Sequence, residues 1–185
     1  RLASAREAFL AGADAIPIER HALLSDGRVM ALVSPGAKIS WMCAPRVDGP
    51  ALFSELLGGP AAGHFTIEPS QPDNNPQQQY DGTSLVLKTT WPRLTVTDFL
   101  DCSAGKPTQR AGRTDLIRQI EGRGEVRITF APRLDFGRLP TRLVIRDGGL
   151  EIDDTIDPIV LRAPGVEWEL LDEGSHQTAV GKVTL

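Results

Sequence analysis

Arg46 and Asp48 stand in Pro45-Arg-Val-Asp-Gly-Pro50, a short segment bracketed by prolines. Proline fixes φ, so such a loop loses little entropy on ordering. It presents a guanidinium fork suited to oxygen acceptors such as a carboxylate, with an acid beside it. Just upstream, Trp41 adds an aromatic ring. With Trp91 and Trp168 it is a candidate for stacking on a sugar, although strand tryptophans are more often core residues. Asp98 is the second focus, because in Leu94-Thr-Val-Thr-Asp-Phe-Leu100 it shares a face with Leu94, Val96 and Leu100. A carboxylate on an apolar face needs a partner. Arg118, Arg46 and Arg138 are the candidates, and the simplest expectation is a buried ion pair that fixes strand register.

Other chemistries find little support. His21, His64 and His176 are dispersed at no ligand spacing, so neither a metal nor another cofactor is expected. No Gly-x-Ser-x-Gly elbow occurs. Gly122-Arg123-Gly124 lies between strand-like runs with no helix after it, unlike a phosphate-cradling loop. Asp153 with Asp154 reads as a strand-end turn, and Glu167 with Glu169 as the wet face of a strand.

These side chains must be placed by β structure. Residues 28–33 and 39–43 flank Pro35-Gly36 and read as a hairpin, with Ile39, Trp41 and Cys43 alternating against Lys38 and Ser40. Pro50 is placed to open a short helix over 51–57 that Gly58 and Gly59 close. Further strands are expected at 63–68, 83–91, 94–100, 116–121, 126–134, 143–146, 159–162, 166–171 and 178–185. Turn chemistry separates them at Asp81-Gly82, Asp147-Gly148-Gly149 and Ala163-Pro164-Gly165. Residues 70–79 and 103–112 read as polar loops, and 1–16 as a tail or short helix. The fold class that follows is all-β: a two-sheet antiparallel β-sandwich, supersandwich-like, spanning 17–185 with one or two short helices.

A chain of 185 residues with 41% hydrophobic and 24% charged side chains suits one domain with a sizeable core. The net charge of −4 contains no basic cluster, so neither nucleic acid nor a membrane surface is an expected partner. Only Cys43 and Cys102 occur, and both read as unpaired thiols. With no signal-like segment, a cytoplasmic protein is expected.

A series of motifs then carries a resemblance. Leu24-Ser-Asp-Gly-Arg, Ile39-Ser-Trp-Met-Cys-Ala-Pro-Arg-Val-Asp-Gly-Pro-Ala-Leu-Phe, Gly63-His-Phe-Thr-Ile, Leu116-Ile-Arg-Gln-Ile-Glu-Gly and Pro132-Arg-Leu-Asp-Phe-Gly-Arg occur in an order that resembles the N-terminal domain of trehalase-like and glucoamylase-like family 15 glycoside hydrolases. The family has an Asp where Ser40 stands, an aromatic at Val47, a Ser at Gly49 and a Tyr at Phe136. The resemblance implies a β-sandwich followed by an α/α barrel that supplies both glutamates of an inverting reaction. No long amphipathic helix is present to build that barrel. The expectation is an isolated, catalytically silent N-terminal domain whose parent acts on trehalose or another α-glucoside. It would pack on the barrel of the same polypeptide, with Arg46, Asp48 and Trp41 as candidates for the sugar site or the barrel interface; on the plainer reading Asp48 caps the helix opened by Pro50 and Arg46 forms a surface pair. The alternatives are an independent carbohydrate-binding module or a structural domain, with room for a homo-oligomer.

Overall fold

Alternating apolar and polar residues dictate strands, and the computed structural model, which describes residues 16–71, 75–102 and 112–185, contains fifteen of them among those residues. The largest sheet runs, in spatial order, β1 (Ala22–Ser25), β2 (Met30–Ser34), β3 (Lys38–Cys43), β5 (His64–Pro69), β10 (Glu125–Ala131), β15 (Gln177–Thr184) and β14 (Glu167–Asp172). The short β4 (Ala51–Phe53) pairs with the end of β3. A second sheet is the meander β6 (Gln77–Tyr80), β7 (Leu87–Thr90), β8 (Leu94–Leu100) and β9 (Leu116–Gly122). A third, small sheet holds β11 (Leu143–Arg146), β12 (Gly149–Ile152) and β13 (Val160–Arg162). All ladders between these strands are antiparallel, and the architecture is an all-β sandwich.

Inward residues of the three sheets share one core. Val33, Ile39, Phe65 and Phe130 come from the first, Leu87, Val96 and Leu100 from the second, and Leu143 and Ile152 from the third. Phe53, Phe65 and Phe130 form its aromatic centre, with T-shaped contacts of Phe130 to Phe53 at 5.9 Å and to Phe65 at 5.3 Å.

Within β8 the buried set is Leu94, Val96, Asp98 and Leu100, so a carboxylate does lie in the core. The β8/β9 register sets Asp98 opposite Arg118. Arg118 Nε donates to Asp98 Oδ1 at 2.8 Å and Nη2 to Oδ2 at 3.2 Å, with side chains 4% and 0% exposed. The same guanidinium reaches the other sheet. It donates to the carbonyls of Phe65 and Ala37 and lies 4.5 Å above the Phe65 ring.

The structure differs from the sequence expectations at several places, among them the strand expected over 83–91, which is confined to Leu87–Thr90. The helix expected over 51–57 is instead β4 followed by a helical turn at Glu55–Gly58, because pairing of Ala51 with Cys43 and of Phe53 with Met42 outweighs the helix-opening signal of Pro50. Residues 77–80 are a strand, not a loop. Gln78 and Tyr80 find polar partners across the sheets there, Gln78 on Ser34 O at 3.1 Å and Tyr80 Oη on the Leu23 N–H at 2.6 Å. Leu134 belongs to a tight turn, Leu134–Gly137, and not to the end of β10. The tail or helix expected over 1–16 lies outside the described residues except for Ile16, and most of the loop expected over 103–112 does too.

Arg118→Ala should destabilise the fold by about 3–5 kcal/mol, since it leaves Asp98 buried and unpaired. The double replacement Asp98→Leu, Arg118→Met should recover most of that loss. Urea titration of the two variants beside the parent checks both. A loss below about 1 kcal/mol for Arg118→Ala would show that the pair holds nothing together.

Candidate functional site

The loop that carries Arg46 and Asp48 is anchored from the chain segment before it. In Asp26-Gly-Arg28 the Asp26 carboxylate accepts the amides of Arg28 at 2.9 Å and Val29 at 2.8 Å and the Thr114 hydroxyl at 3.0 Å. Gly27 supplies the positive φ (83°) of this turn. Arg28 O then accepts the Val47 amide at 2.9 Å, and Gly49 N closes on Arg46 O at 3.0 Å. At the tip, Arg46 and Asp48 pair with each other in a bidentate fork. Nε to Oδ1 and Nη2 to Oδ2 are each 2.9 Å, with side chains 68% and 65% exposed. Asp48 is therefore engaged within the loop, and no helix starts at Pro50 for it to cap.

Trp41 is turned out of the core by a bulge. Leu32 pairs with Trp41 and Val33 with Ile39, which leaves Ser40 as the extra residue. The faces swap at that point, so Met42 is buried and Trp41 only half-buried, against the alternation expected for β3. Trp41 lies 5.9 Å from Phe136, tilted by 53°, and the Arg138 guanidinium lies 5.7 Å from the same ring. Arg138 is far from the role of partner to Asp98: its nearest acid is Asp135, at 3.9 Å. The structure thus groups Trp41 with Arg138, and Arg46 with Asp48, while Asp98 and Arg118 stay in the core.

Two clusters escape a reading by sequence. Arg133, 5% exposed, donates to Pro132 O at 2.8 Å and to Thr178 Oγ1 at 3.1 Å and pairs with Glu173. Its own amide donates to Leu52 O at 2.9 Å, tying β4 to the Leu134–Gly137 turn. The signal available is an arginine directly after the apolar end of β10, at Phe130-Ala-Pro-Arg. The second cluster joins Lys38 Nζ to Glu55 Oε1 at 2.6 Å, with His64 Nδ1 at 3.1 Å from Glu55 Oε2. Burial pushes the Glu55 carboxyl up, but His64 and Lys38 outweigh it and hold the group below the usual range. His176, beside Thr141, is kept below the ordinary imidazole value first by burial and then by the Arg133 charge. Among the described residues, no group of three His, Cys, Asp or Glu side chains is placed to hold a metal ion.

The family described as "Trehalase-like, N-terminal" matches residues 4–185. The chain belongs to that family. A trehalase from Mycobacterium tuberculosis is 30% identical over 142 residues, covering 66% of this chain and 21% of its own length. Trehalase 2 from Sulfolobus acidocaldarius is 30% identical over 132 residues, covering 70% of this chain and 21% of its own. The Mycolicibacterium smegmatis trehalase is 29% identical with the same 66% and 21% shares. The chain spans about a fifth of the length of these relatives. No solved structure matches it significantly. In this trehalase-like N-terminal domain the exposed polar groups of the 44–50 loop are held between β3 and β4, and the aromatic pair joins Trp41 of β3 to Phe136 of the Leu134–Gly137 turn.

Asp26 supports the loop, and its contribution depends on pH. Burial raises its pKa, but the Val29 and Arg28 amides and the Thr114 hydroxyl outweigh burial and hold it below the ordinary value. A depressed carboxylate stabilises the fold above its unfolded pKa of ~3.9, and that contribution is lost as pH falls through the lower folded value. Asp26→Ala should therefore cost about 1–2 kcal/mol at pH 7, the scale of a lost cap. Its deficit against the parent should shrink in acid. Thermal unfolding of both proteins between pH 7 and pH ~2.5 measures it.

Proposed function

We propose that this chain is the non-catalytic N-terminal β-sandwich domain of a family 15-type glycoside hydrolase acting on trehalose or another α-glucoside. It packs on the catalytic barrel of the same polypeptide and supports the active site through the 44–50 loop. The observation that carries this reading is the family match over residues 4–185, joined to a coverage of only 21% of each trehalase it resembles. The bidentate fork of Arg46 and Asp48 supports it further. An ion pair this exposed adds at most about 1 kcal/mol to the isolated fold, and it displays both groups at the surface. Arg46 has five N–H donors and Asp48 accepts two of them, leaving donors for a sugar hydroxyl or a barrel carboxylate.

Both cysteines are free, Cys43 buried with its thiol pushed up by burial and Cys102 exposed, which suits residence in the reducing cytoplasm. No helix among the described residues is long and apolar enough to cross a membrane.

Two outcomes test the proposal. The 185-residue chain should release no glucose from trehalose or maltose, because an inverting hydrolysis needs two carboxyls about 6.5–9.5 Å apart across a sugar-sized cleft. In the intact polypeptide, Arg46→Ala should lower kcat/KM on the preferred glucoside more than tenfold, above ~1.4 kcal/mol of transition-state binding, at unchanged thermal stability. Kinetics equal to the parent's would remove the loop from the active site.

A further inference from the structure

The Leu134–Gly137 turn winds with the left hand. Asp135 (φ 48°, ψ 56°) and Phe136 (φ 58°, ψ 30°) are both in the left-handed region, and Gly137 follows at φ 76°. Consecutive left-handed residues are disfavoured because Cβ crowds the next carbonyl, and an aromatic residue has no local hydrogen bond to offset it. Core groups on both flanks enforce the conformation. Thr141, fully buried, accepts the Leu134 amide at 3.1 Å, Arg133 N donates to Leu52 O at 2.9 Å, and Arg138 N closes on Asp135 O at 3.0 Å.

This enforced turn holds Phe136 in water, 42% exposed, with Trp41 at its side and the Arg138 guanidinium over its ring. Leu139, 53% exposed, follows in the same segment. Strained backbone that exposes an apolar ring does nothing for an isolated fold, and such strain points to a function of the residue it displays. Tryptophan, phenylalanine and arginine side by side are what interface centres are made of. A sugar is the poorer occupant. Arg138 occupies a face of Phe136, and the 53° tilt of Trp41 leaves no flat platform for a pyranose ring.

We infer that Phe136, backed by Trp41 and Arg138, is the anchor by which this domain docks on the catalytic part of its polypeptide. The inference rests on the proposed function, and its occupant is the remaining length that the trehalase relatives carry beyond the 21% matched here. The partner surface is an apolar pocket for the Phe136 ring with a carboxylate at its rim. Arg138 is free to meet that carboxylate, being 74% exposed and only loosely opposed by Asp135 at 3.9 Å.

The test uses the intact polypeptide. The parent should unfold in one calorimetric transition, and Phe136→Ala should split it in two and speed limited proteolysis between the two parts at least tenfold. Gly137→Ala should act in the same direction through the backbone, because its new Cβ meets nothing closer than 3.9 Å while φ is forced at 76°. Ile156→Ala, at a fully exposed residue on another loop, should leave both readouts as in the parent. If Phe136→Ala yields no soluble protein, Arg138→Glu carries the same expectation. Two transitions in the parent, or a Phe136→Ala protein indistinguishable from it, would overturn the inference. Neither result touches the kinetic test of Arg46, and a docking defect beside unaltered Arg46→Ala kinetics would retire the active-site role and leave the anchor standing.

Discussion

One guanidinium holds the sandwich in register. Arg118 leaves β9, satisfies Asp98 on the neighbouring strand, and spends its other donors on Phe65 and Ala37 of the facing sheet. Apolar burial is non-directional, whereas a planar fork with four fixed acceptors admits one arrangement. The constraint extends to the backbone at Ala37, fully buried with φ 52°, where the left-handed conformation accompanies a carbonyl aimed at the guanidinium. Desolvating both charges offsets much of their attraction, so the pair is costly to break on one side while adding little net stability over an apolar replacement.

The candidate surface depends on that frame at second hand. β3 lies beside β2 along one side and meets β5 and then β4 along the other, so the bulge at Ser40 and the short β4 ladder fix Trp41 and both ends of the 44–50 loop. β4 in turn carries the Leu52 carbonyl that receives Arg133. The loop tip and the left-handed turn therefore share a base in β4.

Much of the fold is legible in the sequence because half-buried antiparallel strands alternate. Leu94 to Leu100 and Val126 to Phe130 show this plainly, and so does the need of Asp98 for a cation. What is not legible is decided by pairing over long separations. Nothing local distinguishes Arg118 from Arg138 as that cation; the β8/β9 register does. Gln77 to Tyr80 has the composition of a loop and becomes a strand because Gln78 and Tyr80 reach partners 44 and 57 residues away. Pro50 signals a helix start, and a two-residue ladder to β3 overrules it. The left-handed turn hides in Leu-Asp-Phe-Gly, where only Gly137 announces a positive φ.

The order of the largest sheet has a temporal meaning. β15 follows the other described strands in sequence, yet it lies between β10 and β14 and supplies ladders to both. Until residues 177–184 have been synthesised, β14 has no partner in that sheet and β10 keeps one side unpaired. Local hairpins such as β1 with β2 and β7 with β8 can form early as the chain is made, but the sheet that frames the candidate surface closes in a late, non-local step. During that interval the bare side of β10 is open to pairing with other chains, and protection of the nascent domain is a matter of how quickly its final strand arrives.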